Sequence, residues 1–272
     1  MIRRVFKNLG VLDPAEAPPE SAQLEQDGYA CLRGVFDALE VATMRREIDA
    51  VFDAFPPERV RDDKAEFRYE MFNRSSACQA AVAAGAVLRV VEPLLGDDCH
   101  VIANTAWRNP PDFAGGPWHC DAGPHVPRPE GVPWDDRIPY PVFAIATHVY
   151  LQDCTRDDGP TAVVPGSHRS GRVAPFTQSD DVTYDGRPPV LLESRAGDVA
   201  LFVSDAWHRG MPAGPGGRGR YFLQVHYARR DIAQRVRLTD DANHVSPAAR
   251  DRATTDRARS VIGLHPPFFY DA

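Results

Sequence analysis

The texture of this chain changes near residue 98, and that change restricts the fold more than any single motif. Before it, apolar residues recur at helical spacing. Asp37 and Glu40 form a capping-box pattern. Val41, Met44, Ile48, Val51, Phe52 and Phe55 then follow as one apolar stripe, and Pro56-Pro57 stops the helix. The stripe reads as core. A second, alanine-rich helix is expected from Ser76 to Leu95, with Gly96 as its stop signal. Tyr29 and Cys31, between glycine turns, predict a short strand within residues 24–36. After residue 98 the runs are short and β-like: His100–Trp107, Phe143–Leu151, Thr161–Val164, Val190–Glu193, Val199–Val203 and Tyr221–Ala228. Turn signals separate them at Asp157-Asp158-Gly159-Pro160, Pro165-Gly166-Ser167 and Ala196-Gly197-Asp198. Many short strands with frequent turns predict a sandwich or barrel, including the jelly roll of cupins. Helices first and strands later predict an α+β layout, with N-terminal helices buttressing a sheet.

No Ser/Gly-rich linker or internal repeat divides the 272 residues, so a single domain over 1–272 is expected. Its helical part is residues 1–97, its jelly-roll core 98–230 and its charged tail 231–272. The tail carries an expected arginine-rich helix near 247–260 and ends in Pro266-Pro267-Phe268-Phe269-Tyr270, expected to pack back on the domain. A net charge of −7 argues against a nucleic-acid partner. No apolar run reaches the length of a membrane span, and no apolar stretch follows the charged N-terminus as in a secretory signal. Five cysteines with no C-x-x-C pair suit a reducing cytoplasm, not a disulfide scaffold or a structural zinc site. The only lysines, Lys7 and Lys64, lie outside any P-loop context. Nothing in the sequence sets the oligomeric state.

The residues that carry chemistry begin at His119-Cys120-Asp121. In an extended segment His119 and Asp121 share a face and can chelate one ion, while Cys120 points the other way and reads as a packed thiol. A third ligand must come from another strand. Of nine histidines, His208 is the best candidate, because it follows a well-defined strand and turn. Two imidazoles and one carboxylate form the facial triad that holds non-haem Fe(II) with positions left open. Arg220, leading a further strand, has the forked guanidinium that clamps a carboxylate.

Several motifs occur in order along residues 24–230: Asp27-Gly28-Tyr29 with Arg33-Gly34-Val35-Phe36, Trp118-His119-Cys120-Asp121, and Asp158-Gly159-Pro160 running into Val164-Pro165-Gly166-Ser167-His168. Ala196-Gly197-Asp198, His208 and an arginine before the last strand complete the set. In this the chain resembles the phytanoyl-CoA dioxygenase family of Fe(II)/2-oxoglutarate oxygenases. The resemblance implies a double-stranded β-helix core, iron held by His119, Asp121 and His208, 2-oxoglutarate and O2 as cosubstrates, and Arg220 on the distal carboxylate of 2-oxoglutarate. Arg218, two residues away, is the competitor for that role. Relatives often carry a serine where this chain has Gly210, so another donor is needed; Thr161, Asn104 and His148 are the candidates. His168 is expected to end a strand and not to bind metal. Asp121 speaks against halogenation, since related halogenases lack the carboxylate.

The expected reaction is hydroxylation of an unactivated C–H, with succinate and CO2 released. The alternatives are desaturation, epoxidation or cyclisation on the same scaffold, or a non-catalytic jelly-roll binding protein. The proline-stiffened segment 123–141 follows the ligand pair and carries His125, Arg128, Trp134, Asp135, Asp136, Arg137 and Tyr140. It is a candidate lid over a small-molecule substrate, a natural-product intermediate or an acyl compound.

Overall fold

The computed structural model describes residues 17–56, 65–97, 99–121, 123–229, 231–233, 251 and 254–255. The expected tail helix, apart from residues 251 and 254–255, and the aromatic C-terminus lie outside them. All helices and strands named below belong to the unit that ends at Ile232.

α1 (Pro19–Asp27) starts with proline in its first turn and stops at Gly28, whose φ of 80° provides the left-handed cap. β1 (Tyr29–Leu32) follows. α2 (Ala38–Ala54) carries the expected capping box: Asp37 accepts from the Leu39 and Glu40 amides, and Glu40 accepts from the Asp37 amide, each at 2.8 Å. Val41, Met44, Ile48, Val51 and Phe52 are buried on its inner face, whereas Phe55 caps the helix and is 46% exposed. β2 (Glu66–Arg68) and α3 (Met71–Arg74) come next.

The expected helix from Ser76 to Leu95 is two helices, α4 (Ser76–Val82) and α5 (Gly85–Leu95), bent by 46°. The break falls where the Ala83 amide turns tightly onto the Ala80 carbonyl and Ala84 is extended ahead of Gly85. That bend lets Val87, Val90, Val91, Leu94 and Leu95 reach the core from a second direction. No single described helix is long and apolar enough to cross a membrane.

The remaining strands are β3 (His100–Asn109), β4 (Ala144–Tyr150), β5 (Thr161–Val163), β6 (Val190–Leu191), β7 (Val199–Val203), β8 (His208–Gly210) and β9 (Arg220–Ala228). They form a six-stranded antiparallel sheet, ordered β1-β7-β4-β9-β3-β2, and a three-stranded sheet, β6-β5-β8. Alternation sorts the large sheet into two faces. Ile145, Val149, Val199, Leu201, Val203, Leu223 and Val225 pack with Ile48, Phe52, Val90 and Leu94 of the helices. Ala146, Tyr150, Ala200 and Phe202 turn inward and pack with Val163 and Leu192 near the small sheet. β4 and β7 are therefore buried along their whole length. Each large side chain so buried, such as Leu223, stabilises the fold by about 1.5–3 kcal/mol. The N-terminal region does more than buttress: β1 and β2 close the two edges of the large sheet. The layers are those of a jelly roll with helices on one side.

Candidate active site

Extended backbone pairing places the first three residues. The His119 and His208 amides donate to each other's carbonyls at 3.0 Å, and the Asp121 amide donates to the Ser204 carbonyl at 3.0 Å. Directly paired residues share a face, and Asp121, two residues on, returns to it. The segment enters through Gly115, at φ +77°, where a Cβ would sit 2.8 Å from the Pro212 nitrogen. The expected strand is thus a single bridge. Cys120 points away, donates to the Asp205 carbonyl at 3.4 Å, and packs beside Trp118 and Trp207. Burial pushes its thiol up to about 12.

His119, Asp121 and His208 each offer one ligand atom, and these atoms lie within 4.8 Å of one another. His119 Nδ1 bonds the Pro117 carbonyl at 3.0 Å, and His208 Nδ1 bonds the Ala206 carbonyl at 2.9 Å. Each Nδ1 therefore carries the proton, and each Nε2 keeps the lone pair that a metal needs. Burial alone would raise the Asp121 carboxyl; charge on His208 and His226, and their hydrogen bonds to it, outweigh burial and hold the group well below the usual carboxylate range, a role that a bound cation takes over once both ligand Nε2 atoms are bare. Two neutral imidazoles and an ionised carboxylate fit Fe(II) as a facial donor set.

A second array lies between the two sheets. Arg220 is 5% exposed, and its Nη1 donates to Thr161 Oγ1 at 2.6 Å. Thr161 Oγ1 lies 3.3 Å from His148 Nδ1. With its oxygen accepting from Arg220, the Thr161 hydroxyl proton is free to go to His148 Nδ1. His148 Nε2 then carries the imidazole proton, and it is buried with no partner, as is Arg220 Nε. Burial first, and Arg220 second, hold His148 well below its ordinary value, so the ring is neutral. An orphaned imidazole N–H beside a guanidinium whose own Nε–H is orphaned fits a carboxylate ligand. Gly210 belongs to this arrangement: a Cβ there would stand 2.5 Å from Arg220 Nη2. The hydroxyl comes instead from Thr161, the cross-strand partner of Gly210.

Asn104 is not brought to this site. It pairs with Val225, on the face turned to the helices, and its Nδ2 donates to the Gln224 carbonyl at 2.9 Å. Its inward neighbours are Thr105 and Trp107, paired with Gln224 and Phe222. Arg218 also lies apart: it is 58% exposed and bonds both oxygens of Asp158. His168 is buried and bonds the Glu25 carbonyl at 2.9 Å. The 123–141 segment is pinned down: His125 and Tyr140 both bond the Asp205 carboxylate, the Tyr140 amide donates to Glu25, and Arg169 bonds Asp136.

The residue the sequence reading passed over is His226. Its Nε2 lies 3.0 Å from Asp121 Oδ2. Period-2 alternation from Arg220 was the available signal, since residues 220, 222, 224 and 226 share one face.

A jelly roll that gathers two histidines and an aspartate beside a buried arginine defines the class of non-haem iron oxygenases. The phytanoyl-CoA dioxygenase (PhyH) family model matches residues 24–218, and the chain belongs to that family. It is a non-haem iron enzyme that depends on 2-oxoglutarate and O2. Solved structures with the same fold include the non-heme alpha ketoglutarate dependent epimerase SnoN from nogalamycin biosynthesis, at 21% identity and TM-score 0.60, covering 80% of this chain and 84% of that one. The carbocyclase SnoK from the same biosynthesis is 18% identical, with TM-score 0.59 and coverage of 81% and 87%. HygX from Streptomyces hygroscopicus, with nickel and 2-oxoglutarate bound, is 17% identical, with TM-score 0.60 and coverage of 81% and 90%. SnoN has also been solved with nogalamycin RO, and HygX with hygromycin B.

Proposed function

We propose that this chain hydroxylates an unactivated C–H bond of a small or medium-sized organic substrate, a natural-product intermediate or an acyl compound, as a single oxygenase domain in the cytoplasm. His119, Asp121 and His208 hold the iron, and Arg220 holds the distal carboxylate of 2-oxoglutarate. The observation that carries the reading is the joint presence, between the two facing sheets, of a clustered donor triad and a buried arginine with orphaned donors. When bound, Fe(II), 2-oxoglutarate and O2 supply the oxidising power, and succinate and CO2 leave.

The chain's own residues position and shield. The backbone carbonyls of Pro117 and Ala206 fix both ligand rings in one tautomer. Thr161 fixes the guanidinium, and His148 Nε2 adds a neutral donor beside it. The rings of Phe113 and Phe222 flank Arg220 at 5.8 and 5.1 Å and keep water from its charge. The anchored 123–141 segment, with its mixed aromatic and charged side chains, supplies surface for an amphipathic substrate. The natural-product complexes of SnoN and HygX support that substrate class. Five free cysteines support a reducing compartment.

Succinate release from Fe(II)-loaded protein, screened over candidate substrates, tests the reading. Turnover should require 2-oxoglutarate, and Asp121→Ala should abolish it while leaving the circular dichroism unchanged. A product heavier by one oxygen identifies hydroxylation or epoxidation, which the retention or loss of a double bond in the product then separates; loss of two hydrogens identifies desaturation or cyclisation. Full turnover by Asp121→Ala would contradict the assigned site.

A further inference from the structure

We propose that His226 is the positioning residue for Asp121: it holds one carboxylate oxygen so that only the other is offered to the metal. This rests on the metal triad proposed above.

The two oxygens of Asp121 already have different neighbours. Oδ1 lies 3.4 Å from His208 Nε2, among the ligand atoms, while Oδ2 lies 3.0 Å from His226 Nε2. Both side chains are buried, at 9% and 8% exposure for His226 and Asp121, which limits water's access to the second oxygen. The direction of donation follows from the other end of the ring. His226 Nδ1 is buried with no partner. A bare lone pair there costs less than a bare N–H, so the proton sits on Nε2 and is donated to Oδ2.

The mount is rigid. β9 lies inside the large sheet, hydrogen-bonded to β4 on one side and β3 on the other. His226 stands opposite Ala146 of β4 and Ala103 of β3, two small residues that leave room for the ring. The same strand carries Arg220, six residues earlier on the same face. One element therefore sets both the orientation of the ligand carboxylate and the place of the arginine. Without this hydrogen bond the carboxylate can rotate and offer both oxygens, filling a position that the cosubstrate or O2 needs. An unpaired Oδ2 would also be left buried.

The test compares full-length wild type, His226→Leu and His226→Gln. Leu keeps apolar bulk without a donor; Gln puts an amide N–H near the place of Nε2. Thermal melts establish that each variant is folded. Co(II) is then titrated by calorimetry, and its visible d–d bands are recorded. His226→Leu should bind Co(II) about 10- to 100-fold more weakly, with altered d–d intensity. His226→Gln should recover most of the affinity and the wild-type spectrum. Equal affinity and an unchanged spectrum in His226→Leu would overturn the inference. So would a His226→Gln protein as weak as the Leu variant, since that pattern belongs to a histidine acting as a ligand or a packing group. If the wild type itself bound no Co(II), the metal triad would fall and this inference with it, a result distinct from equal binding by all three.

Discussion

Gly219, at φ +76°, lies between Arg218 and Arg220. Two residues apart on a continuous strand they would share a face. The left-handed turn at Gly219 breaks that parity, and a Cβ there would collide with the Asn109 carbonyl. Arg220 enters β9 and is buried against Thr161, while Arg218 stays outside on Asp158. The two side chains should therefore separate cleanly in kinetics. Arg220→Ala should raise the 2-oxoglutarate KM about 100-fold, the scale of a lost charge-assisted hydrogen bond. Arg218→Ala should leave that KM unchanged. Succinate formation against 2-oxoglutarate concentration measures both, and a KM rise confined to Arg218→Ala would reverse the assignment.

At the scale of elements, the short helical turn over Ser167–Ser170 buries His168 beneath the 123–141 segment, with Tyr140 edge-on at 5.0 Å. Burial pushes its imidazole down to about 4, so the folded protein keeps it neutral. A folded pKa below the unfolded value of about 6.5 means that protonation favours unfolding. Stability should fall as pH drops through 6.5, by about 3 kcal/mol at pH 4 from this group. His168→Gln removes the titration, so its urea midpoint should fall less between pH 7 and pH 4 than that of the wild type. Equal slopes would contradict the account. The elements also show which parts of the fold were legible. β4, β7 and β9 were readable because burial on both faces writes near-continuous apolar runs bounded by turn residues. β2 and β8 were not, since Glu66-Phe67-Arg68 and His208-Arg209-Gly210 are short and hold at most one apolar residue each. Asn104 was misplaced because only the cross-strand register, shifted between Val101 and Ala103, decides which face each β3 residue takes. The helix break at Ala83-Ala84 escaped because alanine favours helix wherever packing does not intervene. In the site, motif order points to the three side chains that cluster and to the buried Arg220, while His226 reads in sequence as one more histidine in a strand.

Across the whole molecule, the helices and the small sheet serve one arrangement. The helices cover one face of the large sheet, which frees its other face to carry Phe222, His226, His148 and Phe202 toward β5 and β8. β8 is only three residues long, yet it holds His208 and Gly210 between Thr161 on one side and the His119 bridge on the other. The proposed metal donors and carboxylate donors are thus fixed to one rigid frame, with Asp205 tying the 123–141 segment to the turn before His208. Such a frame should bind Fe(II) and 2-oxoglutarate together. Its most direct test is the visible metal-to-ligand charge-transfer absorption of the protein under anaerobic conditions. A band is expected that needs both Fe(II) and 2-oxoglutarate, and that saturates only at much higher 2-oxoglutarate in Arg220→Ala. A folded wild-type protein that gives no such band with both present would contradict it.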